Sequence, residues 1–185
     1  MIIEQLENNK DGGLVIGEAM PYFCLPATDG KLYMNTSFKD SLVTLICFTS
    51  NHCPYAQGYE SRLLKIAEEY KSSGLKMAFI MSNDGASYPE DSYEKMLEKS
   101  FPFPYLHDST QSTAKAFGAE ATPEIFIFDK NQKLRFHGAI DDSPKDESLV
   151  KEKYAEDSIK AILTGNVIAR PEMPFIGCSI KWSLS

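Results

Sequence analysis

The sequence predicts an α/β fold with a central mixed sheet flanked by helices. Three observations carry that prediction. Leu42–Phe48 and Leu75–Met81 are nearly all apolar and β-rich, the pattern of strands buried on both faces. Between them Tyr59, Leu63, Ile66, Ala67 and Tyr70 fall on one face of a helix. Strand, helix and strand in that order imply a right-handed crossover and a parallel strand pair. Finally, Glu124–Phe128 and Lys133–His137 are separated only by Asp129–Gln132, a connection so short that the two runs form an antiparallel hairpin.

Residues 1–12 are polar and read as a loose leader, followed by Gly13. Residues 13–165 form the main domain and residues 166–185 a C-terminal tail. Tyr22–Pro26 and Lys31–Met34 flank Thr28-Asp29-Gly30, whose Asp-Gly pair signals an N-terminal β-hairpin. Pro54 suits the first position of the long helix, and Gly74 closes it. Further helices are expected over 90–99, after Pro89, over 110–117, stopped by Gly118, and over 149–163, stopped by Gly165. Phe101-Pro102-Phe103-Pro104 ends the first of these, and residues 138–148 read as an acidic loop. Tyr59, Leu63 and Tyr70 should lie in the core.

The chain has 185 residues, enough for one domain with a real core. It is 43% hydrophobic and 24% charged, which fits neither disorder nor a disulfide-rich scaffold. The net charge of −7, without a basic stripe, argues against nucleic acid and anionic membranes as partners. No apolar run is long enough to span a bilayer, and Met1–Glu7 does not read as a signal peptide. Four scattered cysteines, Cys24, Cys47, Cys53 and Cys178, suit a reducing cytoplasm.

Cys53 carries the chemistry. It stands where the first apolar strand gives way to the amphipathic helix, after Thr49 and His52 and directly before Pro54. Unpaired N–H groups and the helix dipole stabilise an anion there, so the thiol should deprotonate below its free value of about 8.5. His52, when protonated, could lower it further, although a plain loop histidine has the same sequence signature. Three residues before Cys53, where a C-x-x-C motif would place its second thiol, stands Ser50. Thr122-Pro123, just before the late hairpin, is a second landmark.

This element order is the thioredoxin arrangement, with the active cysteine at the carboxyl end of a central strand. Over roughly residues 14–182 the chain resembles bacterial redoxins of the alkyl-hydroperoxide-reductase/thiol-specific-antioxidant (AhpC/TSA) type. The resemblance rests on Asn51-His52-Cys53-Pro54-Tyr55, Ser82-Asn83-Asp84, Phe103-Pro104-Tyr105-Leu106, Thr122-Pro123-Glu124, Gly138 with Asp141-Asp142, and the terminal Gly177-Cys178-Ser179-Ile180-Lys181-Trp182. It implies a cis Thr122-Pro123 bond facing Cys53, with Pro123 shaping the partner groove. It also implies thiol-based redox chemistry with no organic cofactor or metal. A thiol reductant and a disulfide or peroxide substrate would be the partners, and a homodimer stays open.

The chain departs from those relatives at two places. Ser50 replaces the first cysteine of their Cys-Asn-His-Cys-Pro, and Ala121 stands where some carry a cysteine before Thr-Pro. Ordinary dithiol exchange needs a second thiol that these positions lack. The reading is therefore a thiol–disulfide oxidoreductase with a single active-site cysteine, Cys53, toward which Ser50 donates its hydroxyl. A peroxiredoxin-like peroxidase is the alternative, since Ser50-x-x-Cys53 preserves a hydroxyl at the peroxiredoxin threonine. Against it, Ile46 and Pro123 occupy the positions of the proline and arginine of peroxiredoxins, leaving Arg62 and Arg135 as substitutes. A redox-inactive binding or scaffold protein is the third reading.

The remaining candidates have bland readings. Cys47 reads as core and Cys24 as structural. Cys178 could fold back from the tail to resolve oxidised Cys53, or simply pack. His107 reads as a loop residue and His137 as a strand end, although with Cys53 they could hold a soft metal. Asp141-Asp142 reads as a solvated turn.

Overall fold

The computed structural model describes residues 12–184, so the leader expected over 1–12 lies outside the described residues apart from Gly12. Cys24–Pro26 (β1) and Leu32–Met34 (β2) pair antiparallel around Asp29-Gly30, the predicted hairpin. Gly30 takes φ 79°, the left-handed conformation that an Asp-Gly turn requires. Val43–Thr49 (β3), Pro54–Tyr70 (α1) and Leu75–Met81 (β4) form the crossover unit. β3 and β4 run parallel, from Val43 opposite Leu75 to Thr49 opposite Met81.

After β4 the chain departs from expectation. Instead of a helix over 90–99 there is a single 3-10 turn, Pro89–Asp91, and then Tyr93–Leu97 (α2). Ser92 separates them because it is extended (φ −65°, ψ 158°) and caps α2, its hydroxyl accepting from the Lys95 N–H. The break turns Asp91 into the interior, where it is fully buried. Tyr105–His107 (β5), not expected as a strand, pairs parallel with β4 and extends the sheet. Its Tyr105, with Phe101 and Phe103, packs edge-on to Phe79.

Ser112–Phe117 (α3) ends at Gly118, as the sequence indicates. The short Ala121–Thr122 strand (β6) precedes Glu124–Asp129 (β7) and Leu134–Gly138 (β8). β7 pairs antiparallel with β3 and β8, giving a five-stranded mixed sheet in the order β5-β4-β3-β7-β8. Tyr154–Leu163 (α4) starts later than the expected 149, because the segment before it hydrogen-bonds to the loop after β8. The Lys151 and Glu152 N–H groups donate to Asp142, and that of Ala155 donates to the Ile140 carbonyl. Cys178–Ser179 (β9), within the C-terminal tail expected over 166–185, pairs antiparallel with β6.

The sheet divides the core in two by the two-residue period of its strands. Leu45, Cys47, Met77, Phe79, Ile125 and Ile127 face Tyr59, Leu63 and Ile66 of α1 and Ile159 of α4. Ile46, Phe48, Ala78, Ile80, Phe126 and Phe128 face Phe117 of α3 and Phe23 and Leu25 of the first hairpin. Burial on both faces makes the central strands continuous apolar runs, and it fixes the end of β3 as the rigid base of the segment bearing Cys53. No helix among the described residues is long and apolar enough to cross a membrane.

Candidate active site

Cys53 is the N-cap residue of α1, extended at φ −75° and ψ 118°, with Pro54 in the first turn. Pro54 lacks an N–H, so the helix begins without wasting a donor, and the first-turn N–H groups face the Cys53 side. Thr49 ends β3 in the sheet, buried opposite Met81. Thr122-Pro123 is cis, and the Thr122 carbonyl oxygen lies 3.1 Å from Cys53 Sγ. Pro123 is buried, and beside it lies a cavity of about 190 Å³ lined also by Tyr59, Asp141, Met173 and Phe175.

The second sulfur of the site is Cys178. Its Sγ lies 2.9 Å from Cys53 Sγ, although 125 residues separate the two in sequence. The lone thiol expected from Ser50-x-x-Cys53 therefore has a thiol neighbour, supplied by the tail through the β6–β9 pair. The tail is fastened beyond Cys178 as well. Ile180 is buried in the core face under α3, and its N–H donates to the Glu120 carbonyl. The Lys181 N–H donates to Asn83 Oδ1, and its carbonyl accepts from the Asp84 N–H and from Gln111 Nε2. The Ser183 N–H donates to Gln111 Oε1.

The two thiols differ in acidity. Burial works to raise the pKa of Cys53, but hydrogen bonds from the Cys178 thiol, the Ala56 N–H in the first turn of α1 and the Thr122 hydroxyl outweigh it, so the net shift is downward. Cys178 is pushed up to about 11, first by burial and then by the hydrogen bond to Cys53 and the charge there. Of the two thiols, Cys53 is therefore the one that gives up its proton more readily. Cys53 is wholly covered.

Ser50 is buried but does not aim its hydroxyl at the thiol, which corrects that expectation. Its Oγ donates to Asp91, 3.0 Å from Oδ2, and accepts the Cys53 backbone N–H at 3.2 Å. Asp91 is the residue that the sequence reading missed. Besides Ser50, its carboxylate accepts from the N–H groups of Asn51 (2.7 Å) and His52 (3.2 Å), from His52 Nδ1 (2.5 Å) and from Asn83 Nδ2 (2.7 Å). A buried carboxylate needs such a set of donors, and here every one but Asn83 comes from the loop that carries Cys53. The Pro-Glu-Asp-Ser run, with an acidic residue before a capping serine, was the local signal for it. His52 is thus tied to Asp91 and stacked on Tyr88, its ring centroid 5.4 Å away.

Glu124 is a second buried carboxylate. Its Oε2 accepts the N–H groups of Glu120 and Ala121, and its Oε1 lies 2.6 Å from His137 Nε2. It thereby shapes β6, the strand that receives the tail. His107 stacks on Tyr93, and Cys24 is exposed on β1. Cys47 is fully buried, and burial followed by the Glu124 charge pushes its thiol far up, as befits a packing residue. Among the described residues no cluster of three or more His, Cys, Asp or Glu side chains is placed to hold a metal ion.

Arg62 and Arg135 are both paired with carboxylates. Arg62 Nη1 is 2.7 Å from Asp141 Oδ2 and 2.7 Å from the Ser143 carbonyl, and Arg135 bonds Asp129. Asp141, expected in a solvated turn, is instead buried and accepts also from the Tyr59 hydroxyl; only Asp142 is exposed.

A protein-family model, that of the AhpC/TSA family, matches residues 16–137. The chain belongs to the AhpC/TSA family. The chain is also similar to solved structures. A conserved protein from Geobacillus kaustophilus is 36% identical with a TM-score of 0.88, over 93% of this chain and 94% of that one. A hypothetical protein from Sinorhizobium meliloti 1021 is 35% identical with a TM-score of 0.85, over 94% of this chain and 98% of that one. A candidate thiol:disulfide interchange protein DsbE from Chlorobium tepidum shares the fold at 22% identity and a TM-score of 0.65, over 81% of this chain and 99% of that one. No curated protein matches the chain. The chain is thus an AhpC/TSA-family redoxin with the thioredoxin fold.

Proposed function

We propose that this AhpC/TSA protein is a two-cysteine thiol–disulfide oxidoreductase, in which Cys53 attacks and Cys178 resolves. The observation that carries the reading is the 2.9 Å approach of the two sulfurs. With β9 lifted, the Cys53 thiolate attacks one sulfur of a substrate disulfide. A Cys53–substrate disulfide forms, and the other substrate sulfur leaves as a thiolate that takes up a proton. The Cys53 charge that held the Cys178 proton is then gone, so Cys178 deprotonates more readily. Its thiolate attacks Cys53 Sγ and expels the second substrate thiol. The enzyme is left with a Cys53–Cys178 disulfide and the substrate with two electrons more. An external thiol reductant reopens the disulfide by the same exchange run on the enzyme. The cavity beside Pro123 is the place for an apolar group flanking the substrate disulfide.

The peroxidase reading has less support. A peroxide-cleaving site uses a cation and a hydroxyl at the thiolate, whereas Arg62 and Arg135 are committed to Asp141 and Asp129 and the Ser50 proton goes to Asp91.

The deciding experiment is insulin reduction with a thiol donor, run beside hydrogen peroxide consumption. Cys53→Ser should abolish insulin reduction. Cys178→Ser should stall with substrate covalently held on Cys53, visible by intact mass under non-reducing conditions. Peroxide turnover that outpaces insulin reduction would overturn the reading.

A further inference from the structure

Asn83 lies between the two cysteine-bearing segments and touches both. Its Nδ2 donates to Asp91 Oδ2 at 2.7 Å, and its Oδ1 accepts the Lys181 backbone N–H at 2.8 Å. It is 4% exposed, so neither bond is shared with bulk water. On one side Asp91 holds the Ser50–His52 segment, and Ser50 in turn accepts the Cys53 N–H. On the other side Lys181 stands three residues past Cys178, with its carbonyl gripped by the Asp84 N–H and by Gln111. An unbroken hydrogen-bonded path therefore runs from the backbone of one cysteine to the segment just past the strand of the other.

Resting on the two-cysteine reading, we propose that Asn83 and Asp91 are positioning residues that set the effective concentration of Cys178 at Cys53, and so the reduction potential of the pair. Closing a disulfide requires the two sulfurs within a narrow range of distance and torsion. Segments already held in register lose little freedom when the bond forms, which favours the closed form. The demand on residue 83 is specific: one donor toward a carboxylate and one acceptor toward an N–H, in opposite directions. Asparagine meets it. Aspartate would keep the acceptor but turn a like charge on Asp91, and alanine has neither group.

The test equilibrates the full chain across glutathione redox buffers and follows the Cys53–Cys178 disulfide by non-reducing peptide mapping. Asn83→Ala should lower the equilibrium constant for closure about tenfold, the weight of the hydrogen bonds removed. Lys181→Pro deletes the same N–H from the tail side, and should give a loss of similar size. Asn83→Asp should fall below wild type as well, through repulsion at Asp91. A purely structural role would shift thermal stability and leave the potential in place. If the wild type closes the disulfide and all three variants stay within about twofold of it, the positioning role is overturned while the two-cysteine reading stands. If the wild type never closes it, the two-cysteine reading fails and this proposal with it.

Discussion

Gly177 lies so close against Thr122 that a β-carbon at position 177 would overlap the Thr122 carbonyl oxygen. Thr122 is also the residue whose carbonyl touches Cys53 and whose strand pairs with Cys178. The tail therefore reaches Cys53 only because the residue before Cys178 has no side chain. Gly177→Ala should force β9 off β6 at a cost on the order of 1–3 kcal/mol. The main-domain melting of the reduced protein should move little. The Cys53–Cys178 disulfide, assayed against glutathione, should be correspondingly harder to close. A constant equal to that of the wild type would show that the strand pair does not deliver Cys178.

The acidity of Cys53 should depend on its thiol neighbour. Its pKa is lowered because hydrogen bonds, that from Cys178 foremost, outweigh the effect of burial. As pH rises, Cys53 deprotonates before an ordinary cysteine, while Cys178 holds its proton up to about 11. The rate of the first exchange step should climb with pH and level off at a lower pH than for an ordinary cysteine. In Cys178→Ala the donor is gone, and the midpoint should move upward. Single-turnover kinetics against pH measure both, and an unmoved midpoint would remove Cys178 from the stabilisation of the thiolate.

Restoring the C-x-x-C motif should bring little gain. Ser50 is committed to Asp91 and to the Cys53 N–H, and a thiol there would face a buried carboxylate that disfavours its anion. Ser50→Cys should therefore leave insulin reduction near the wild-type rate in the presence of Cys178. Combined with Cys178→Ser, it tests whether residue 50 can resolve at all. Ser50→Ala removes a donor from buried Asp91 and should cost about 1–3 kcal/mol in urea unfolding.

Glu124 should matter through β6. Glu124→Ala leaves the Glu120 and Ala121 N–H groups and the His137 ring without their acceptor. A loss on the order of 3 kcal/mol is expected, the range for breaking a buried pair at one partner. Glu124→Gln keeps an acceptor toward the backbone and should recover part of it. Thermal unfolding of the two variants decides, and equal stability in both would show that the carboxylate does not organise the strand.

Much of this was legible in the sequence because it is local. Burial on both faces of β3 and β4 writes continuous apolar runs, and the buried stripe of α1 repeats at helical spacing. The place of Cys53 follows from the junction of those two patterns, and Pro54 marks the helix start. The same logic misread the 90–99 stretch, because helical composition does not show that Ser92 is better used as a cap than as an interior residue. It also missed β5, where Tyr105 gains its place by packing on Phe79.

From the sequence alone come the thioredoxin-like order of elements and the place of one cysteine, Cys53, at the end of a central strand. Only the tertiary structure decided what surrounds that cysteine. Cys178 arrives from 125 residues away, and the hydroxyl of Ser50 turns to Asp91, 41 residues on. Periodicity reports which face of an element is buried, because that is imposed every two or four residues along the chain. It does not report which distant segment supplies a partner, since one hydrogen bond or one sulfur contact leaves no repeating trace. The second thiol of this site is set by the fit of Gly177 against Thr122 and by the grip of Asn83 on the Lys181 backbone.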